Sequence, residues 1–152
     1  MADRTKHTAH FFSFVLFLAK VYPYSQPNIL KNDLVALRWL AQDKLSHYND
    51  YLNRNHIGLE NIIAPHLLNF FSDLSEELTF RIWDFLVSCD NINKARVVIA
   101  FTLLTYLETT RNLPIIPINQ FMDSVSKNYS SLPLNIVPPA SLTKAVDAFL
   151  AG

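Results

Sequence analysis

Residues 75–107 read SEELTFRIWDFLVSCDNINKARVVIAFTLLTYL, two runs of helical periodicity separated by a polar break. The first run sets Leu78, Ile82, Phe85 and Leu86 on one stripe and Phe80, Trp83 and Val87 on a second. Two apolar stripes make a helix central, leaving a narrow polar edge for Arg81 and Asp84. Those two stand three residues apart, a spacing that lets them pair on a helix surface. The second run, 94–108, is apolar nearly all round and rich in β-branched residues. Its length argues for a helix rather than a strand. The rest of the chain must cover these two helices.

Helix signals surround this centre. Ser75 suits an N-cap, and Glu76 and Glu77 suit the positive end of the helix dipole. Asp90 to Asn93 breaks the chain and caps the next helix. Upstream, 7–21 reads as a helix ended by Pro23 and Pro27, with 22–32 as a loop. Asp33 is expected to cap a helix over 34–42, and 45–53 follows as another. Because proline fits the first turn of a helix, 59–64 is expected to be a short turn and Pro65 to open a helix reaching Phe71. Downstream come an extended NLPIIP connector, an amphipathic helix over 118–128 anchored by Phe121, Met122 and Val125, a proline-punctuated linker, and a last helix over 141–150. No paired runs flank a turn such as Asn-Gly. The expected fold is all-α, an irregular packing of roughly seven helices. Residues 1–110 would form a lobe, and 111–152 a C-terminal extension whose two short helices pack on it.

Composition removes several function classes. The chain has 152 residues, enough for one domain with a real core. Its only glycines are Gly58 and Gly152, so a glycine-rich phosphate loop or dinucleotide fingerprint is excluded. Thirteen basic residues balance thirteen acidic ones, giving no electrostatic case for nucleic acid or an anionic membrane. Cys89, the single cysteine, fits a reducing compartment. The run FFSFVLFLA over 11–19 is shorter than the about 20 apolar residues a membrane span requires. It is followed by Lys20 and Tyr22-Pro23-Tyr24 instead of a small-residue cleavage site, so a buried helix fits it better than a signal peptide.

Chemistry candidates are few, and each has a structural alternative. His7 and His10 have the spacing to clip a metal but no third ligand nearby, so no metal site is expected. His47, His56 and His66 are scattered singles. Cys89 lacks an electropositive neighbourhood and reads as packed. Glu76 and Glu77 are adjacent and point in different directions on a helix. Arg81–Asp84 is the pair of most interest, as a lock between helices or an arginine facing a ligand. No cofactor is expected.

The segment 65–100 resembles the second half of a TBC domain, the helical domain of Rab GTPase-activating proteins. Pro65 to Phe71 supplies the proline and the phenylalanine-ended helix. Arg81, Ile82, Trp83 and Asp84 match R-I-W-D, and Arg96 and Ala100 fall at the family's R-x-x-x-A spacing. The flanking helices extend the resemblance over roughly residues 10–108. Departures are His66 for tryptophan, Ser75 for the opening proline, Cys89-Asp90 for Glu-Gly, and Lys94-Ala95 for Leu-Phe.

The resemblance implies a helical domain acting with a Rab-type small GTPase in vesicle trafficking, cytoplasmic or peripheral to endomembranes through that partner. TBC domains accelerate GTP hydrolysis with an arginine in I-x-x-D-x-x-R and a glutamine in Y-x-Q. The first motif is absent here. Tyr24-Ser25-Gln26 matches the second, but Pro27 follows where the family has glycine. Three readings stay open. The chain is a non-catalytic interaction module or fragment of such a protein, with no catalytic residue of its own. Alternatively it is an active GTPase activator using Gln26, or an unrelated all-α scaffold. On the first reading helix 7–21 leaves an uncovered apolar face around Phe11, Phe14 and Phe17.

Overall fold

Pro27, expected to end structure, begins it. The computed structural model describes residues 23–110, 116–132 and 140–152. The helix expected over 7–21 and its apolar face lie outside them. Among the described residues a 3-10 turn, Pro23–Ser25, leads into α1, Pro27–Lys44. Proline at the first helical position costs no hydrogen bond, since that N–H would be unpaired anyway. The expected loop over 22–32 is thus mostly helix, and Asp33 lies within α1 as a buried residue rather than at its N-cap.

Six more helices follow: α2 Ser46–Arg54, α3 Leu59–Leu68, α4 Glu76–Ser88, α5 Ile92–Thr110, α6 Ile118–Ser131 and α7 Ala140–Ala151. No strand occurs among the described residues, so the chain is all-α as its periodicity requires. α1 and α5 are the two hubs. α1 packs against α2, α3, α5 and α7, while α5 also carries α3, α4 and α6. From Ala95 to Leu104 every residue of α5 is buried. Burial on all sides explains why its apolar pattern has no clear face.

α4 is less central than its sequence suggests. Ser75 caps it as expected, its side chain accepting from the Leu78 N–H at 3.3 Å. Leu78, Ile82, Trp83 and Leu86 are buried, but the second stripe does not close over. Phe80 is only partly buried, and Val87 is 57% exposed.

Pro65 also departs from expectation. It sits inside α3, which runs unbroken from Leu59. The missing N–H removes one bond to Asn61, but both residues lie on the exposed side. α3 ends at Leu68, short of the expected Phe71.

With so little glycine, two helix ends are closed by ordinary residues. After α2 the Ile57 N–H bonds to the Leu52 carbonyl at 2.9 Å and the His56 N–H to Asn53 at 3.2 Å. After α3 the Phe71 N–H bonds to His66 at 2.8 Å and the Phe70 N–H to Leu67 at 3.0 Å. Both are Schellman closures, which place one residue in left-handed conformation, usually glycine. Here His56 holds φ 55° and Phe70 φ 55°, and Phe71 follows with φ 62°. His56 is exposed and has no packing to compensate its strain. His56→Gly should therefore raise the unfolding free energy by about 0.5–1 kcal/mol. Urea unfolding would register this as a higher midpoint at unchanged slope. A lowered midpoint would show that no strain resides there.

Candidate functional site

The R-I-W-D motif lies on α4 with its four side chains divided. Ile82 is fully buried, and Trp83 is buried against the turn after α3. The Trp83 indole Nε1–H donates to the Phe70 carbonyl at 2.7 Å. One turn earlier, the Thr79 hydroxyl donates to the Phe71 carbonyl at 2.9 Å. α4 thus satisfies the carbonyls of both left-handed phenylalanines, each costing roughly 1–2 kcal/mol of backbone strain. His66 stands in the same region, its Nδ1 2.6 Å from Asp73 Oδ2.

Arg81 and Asp84 face outward, and the pair expected between them is not formed. Side chains on the solvent edge of α4 are free to reach elsewhere, and Arg81 Nη1 lies 3.4 Å from Asn119 Oδ1 on α6. α6 is seated further by Tyr129. Phe85 meets the Tyr129 ring edge-on at 5.7 Å, Lys94 Nζ sits 5.1 Å from the ring centre, and the Asn91 N–H bonds to the hydroxyl at 3.3 Å.

Asp33 and Arg96 form a buried ion pair between α1 and α5. Arg96 Nε donates to Asp33 Oδ2 at 3.0 Å, and Nη2 lies 3.4 Å from Oδ1. Nη2 also donates to Asn93 Oδ1 at 2.7 Å. The Tyr24 hydroxyl donates to Asp33 Oδ2 at 2.8 Å, with the Arg96 guanidinium 5.6 Å from the centre of the Tyr24 ring. Arg96 is 2% exposed. Burial pushes the Asp33 carboxyl above the ordinary range, while Arg96 and Tyr24 pull it back. Burial, helped by the Asp33 charge, pushes the Tyr24 phenol far up.

A second pair ties α1 to α3. Arg38 forks onto the Glu60 carboxylate, Nε to Oε1 and Nη2 to Oε2, the latter at 3.1 Å. Glu60 is 2% exposed, so this carboxylate too serves the interior.

Among the sequence candidates, Arg81, Asp84, Ile82 and Trp83 share α4, and Arg96 lies on the neighbouring α5 in the Asp33 cluster. Gln26 is exposed at the N-cap of α1 and makes no side-chain cap bond. Tyr24 turns inward to Asp33, so the Tyr-x-Gln residues diverge. Burial and then Asp90 push the Cys89 thiol up, against a hydrogen bond from Tyr129. An activated nucleophile requires the opposite shift. His7 and His10 lie outside the described residues. No helix among those residues is long and apolar enough to cross a membrane. Missed were Asp33, Tyr24 and the Arg38–Glu60 pair. Asp33 had a signal: it shares a helical stripe with Leu30, Leu34 and Leu37, where a lone carboxylate requires a buried partner.

Arg96→Met strands the Asp33 carboxylate in the core and should cost about 3–5 kcal/mol at neutral pH. Asp33→Leu combined with Arg96→Met should recover most of it, since no buried charge remains. The sign with pH follows from the upward shift of Asp33. Stability held by a raised carboxyl is full below its unfolded pKa and is lost as pH rises through the folded value. The Arg96→Met deficit should therefore narrow as pH falls toward the carboxylate range. A deficit that does not move with pH would mean Arg96 acts only by packing. Compared with known proteins, the chain finds no match to a family model, a curated protein or a solved structure.

Proposed function

We propose that this chain is a non-catalytic protein-interaction module of TBC-like build that engages a Rab-type small GTPase through the outward face of α4. The observation that carries the reading is the division of R-I-W-D. Ile82 and Trp83 anchor the helix, leaving Arg81, Asp84 and the 57% exposed Val87 on its solvent side. These three recur at every third position and form the surface that α4 offers a partner. The charged groups of the interior are engaged with one another: Arg96 with Asp33 and Arg38 with Glu60. Exposed Gln26 lacks an arginine in the I-x-x-D-x-x-R setting that GTPase activation needs. A place at endomembranes would follow from the GTPase.

Single-turnover GTP hydrolysis with a panel of Rab-type GTPases, alongside direct binding, tests this. The expected result is binding without acceleration, and Gln26→Ala behaving as wild type. Val87→Asp and Arg81→Glu should each weaken binding about tenfold or more at unchanged thermal stability. Acceleration abolished by Gln26→Ala would establish an activator instead. Absence of binding across the panel would sink the GTPase reading.

A further inference from the structure

We infer that a second copy of this chain docks on the outward face of α4, the two α4 helices lying antiparallel across a two-fold axis. Glu77, Arg81, Asp84 and Ser88 follow one another at i, i+4, i+7 and i+11, one stripe of the helix, and all four are exposed. One flank of the stripe is bordered by α6, through Arg81 to Asn119 and Phe85 to Tyr129. The other flank is apolar: Val87 is 57% exposed and Phe80 only partly buried. Among the described residues no ion pair takes the charge of Arg81 or of Asp84.

The stripe is complementary to itself. A two-fold axis set midway between Arg81 and Asp84 lays each guanidinium against Asp84 of the second copy, so one contact is made twice. Two opposite charges that do not pair within the chain thus find partners between chains. The ends of the stripe meet as Glu77 against Ser88, a carboxylate against a hydroxyl, so no like charges face each other along it. Glu76, the other acid of α4, lies well off the stripe. The same axis brings each flank against its own copy. Val87 then lies beside Phe80 of the second copy, which covers the most exposed large hydrophobic among the described residues. A parallel pairing lacks this match, since it sets Arg81 against Arg81 and Asp84 against Asp84.

One helix face a side is at the low end of interface size, so the dimer is weak and reversible, dissociating in the micromolar range. The pairing itself does not rest on the GTPase reading. The regulation it implies does: the second copy and the GTPase occupy one face and exclude each other. Self-association then holds that face closed until a tighter partner displaces it by mass action.

Sedimentation equilibrium of the full chain tests the pairing. The wild-type mass should rise from one chain toward two across the micromolar range. Arg81→Glu and Asp84→Arg should each weaken the dimer at least about tenfold, because each sets like charges against one another. Both positions are exposed, so the fold should persist, as circular dichroism would show. The Arg81→Glu chain presents two acids and the Asp84→Arg chain two bases, so an equimolar mixture should pair about as tightly as wild type. The double variant should pair with itself again. Val87→Asp, on the apolar flank, should weaken the dimer without touching either charge. The inference falls if the wild type stays monomeric throughout, or if the two single variants fail to recombine. A dimer indifferent to all three substitutions would place the contact elsewhere and overturn it as well. No GTPase enters this experiment, so its failure and the failure of the GTPase-binding assay are separate results.

Discussion

The Asp33–Arg96 contact joins the two helices on which the other described elements rest. Asp33 belongs to α1 and Arg96 to α5, 63 residues apart in the chain. Moving both charges out of water is expensive, so the pair is worth having only when its hydrogen bonds are complete. Two bonds from Arg96, one from Tyr24 and the Asn93 acceptor come close to completing them. An apolar contact between helices tolerates a slip of register, but this one does not, because a shifted guanidinium would strand a carboxylate. The pair therefore fixes how α1 lies on α5, and through α1 the seats of α2, α3 and α7.

A second constraint comes from the shortage of glycine. Helices that turn sharply need a left-handed residue at their C-terminal end, and this chain supplies His56 and Phe70. At the end of α3 the strain is doubled by Phe71 and offset by burying both rings. Trp83 and Thr79 complete the arrangement by taking the carbonyls that such a turn points inward. The R-I-W-D tryptophan thereby clamps α4 onto a strained turn. The outward residues of the same motif take no part in that clamp.

Much of this is legible in the chain. Helical periodicity without hairpin signals leads to the all-α class. Ser75 caps its helix as its sequence context predicts, and Asn91 takes the cap expected of 90–93, its side chain accepting from the Lys94 N–H. The prolines mislead because the same residue ends one helix and opens another, and local sequence does not say which. Pro27 starts α1, and Pro65 is tolerated on an exposed side. The charges mislead for a different reason. Arg81 and Asp84 are near neighbours, whereas the pairs that form span 63 and 22 residues. Such partners are fixed by tertiary packing, which a single sequence encodes only as a charge on an apolar stripe. The proposed binding face is legible in part: R-I-W-D draws the eye to α4, but Val87 reads as core by its stripe and is exposed there.

The central claim is that Asp33, Arg96 and Tyr24 form a closed, dry junction between α1 and α5. Nitrogen-detected and proton NMR of the arginine side chains addresses it directly. The Arg96 Nε–H should exchange slowly with water at neutral pH, be shifted by the Tyr24 ring, and lose both properties in Asp33→Asn. An Arg96 Nε–H that exchanges as fast as that of exposed Arg54, with no ring shift, would contradict the account.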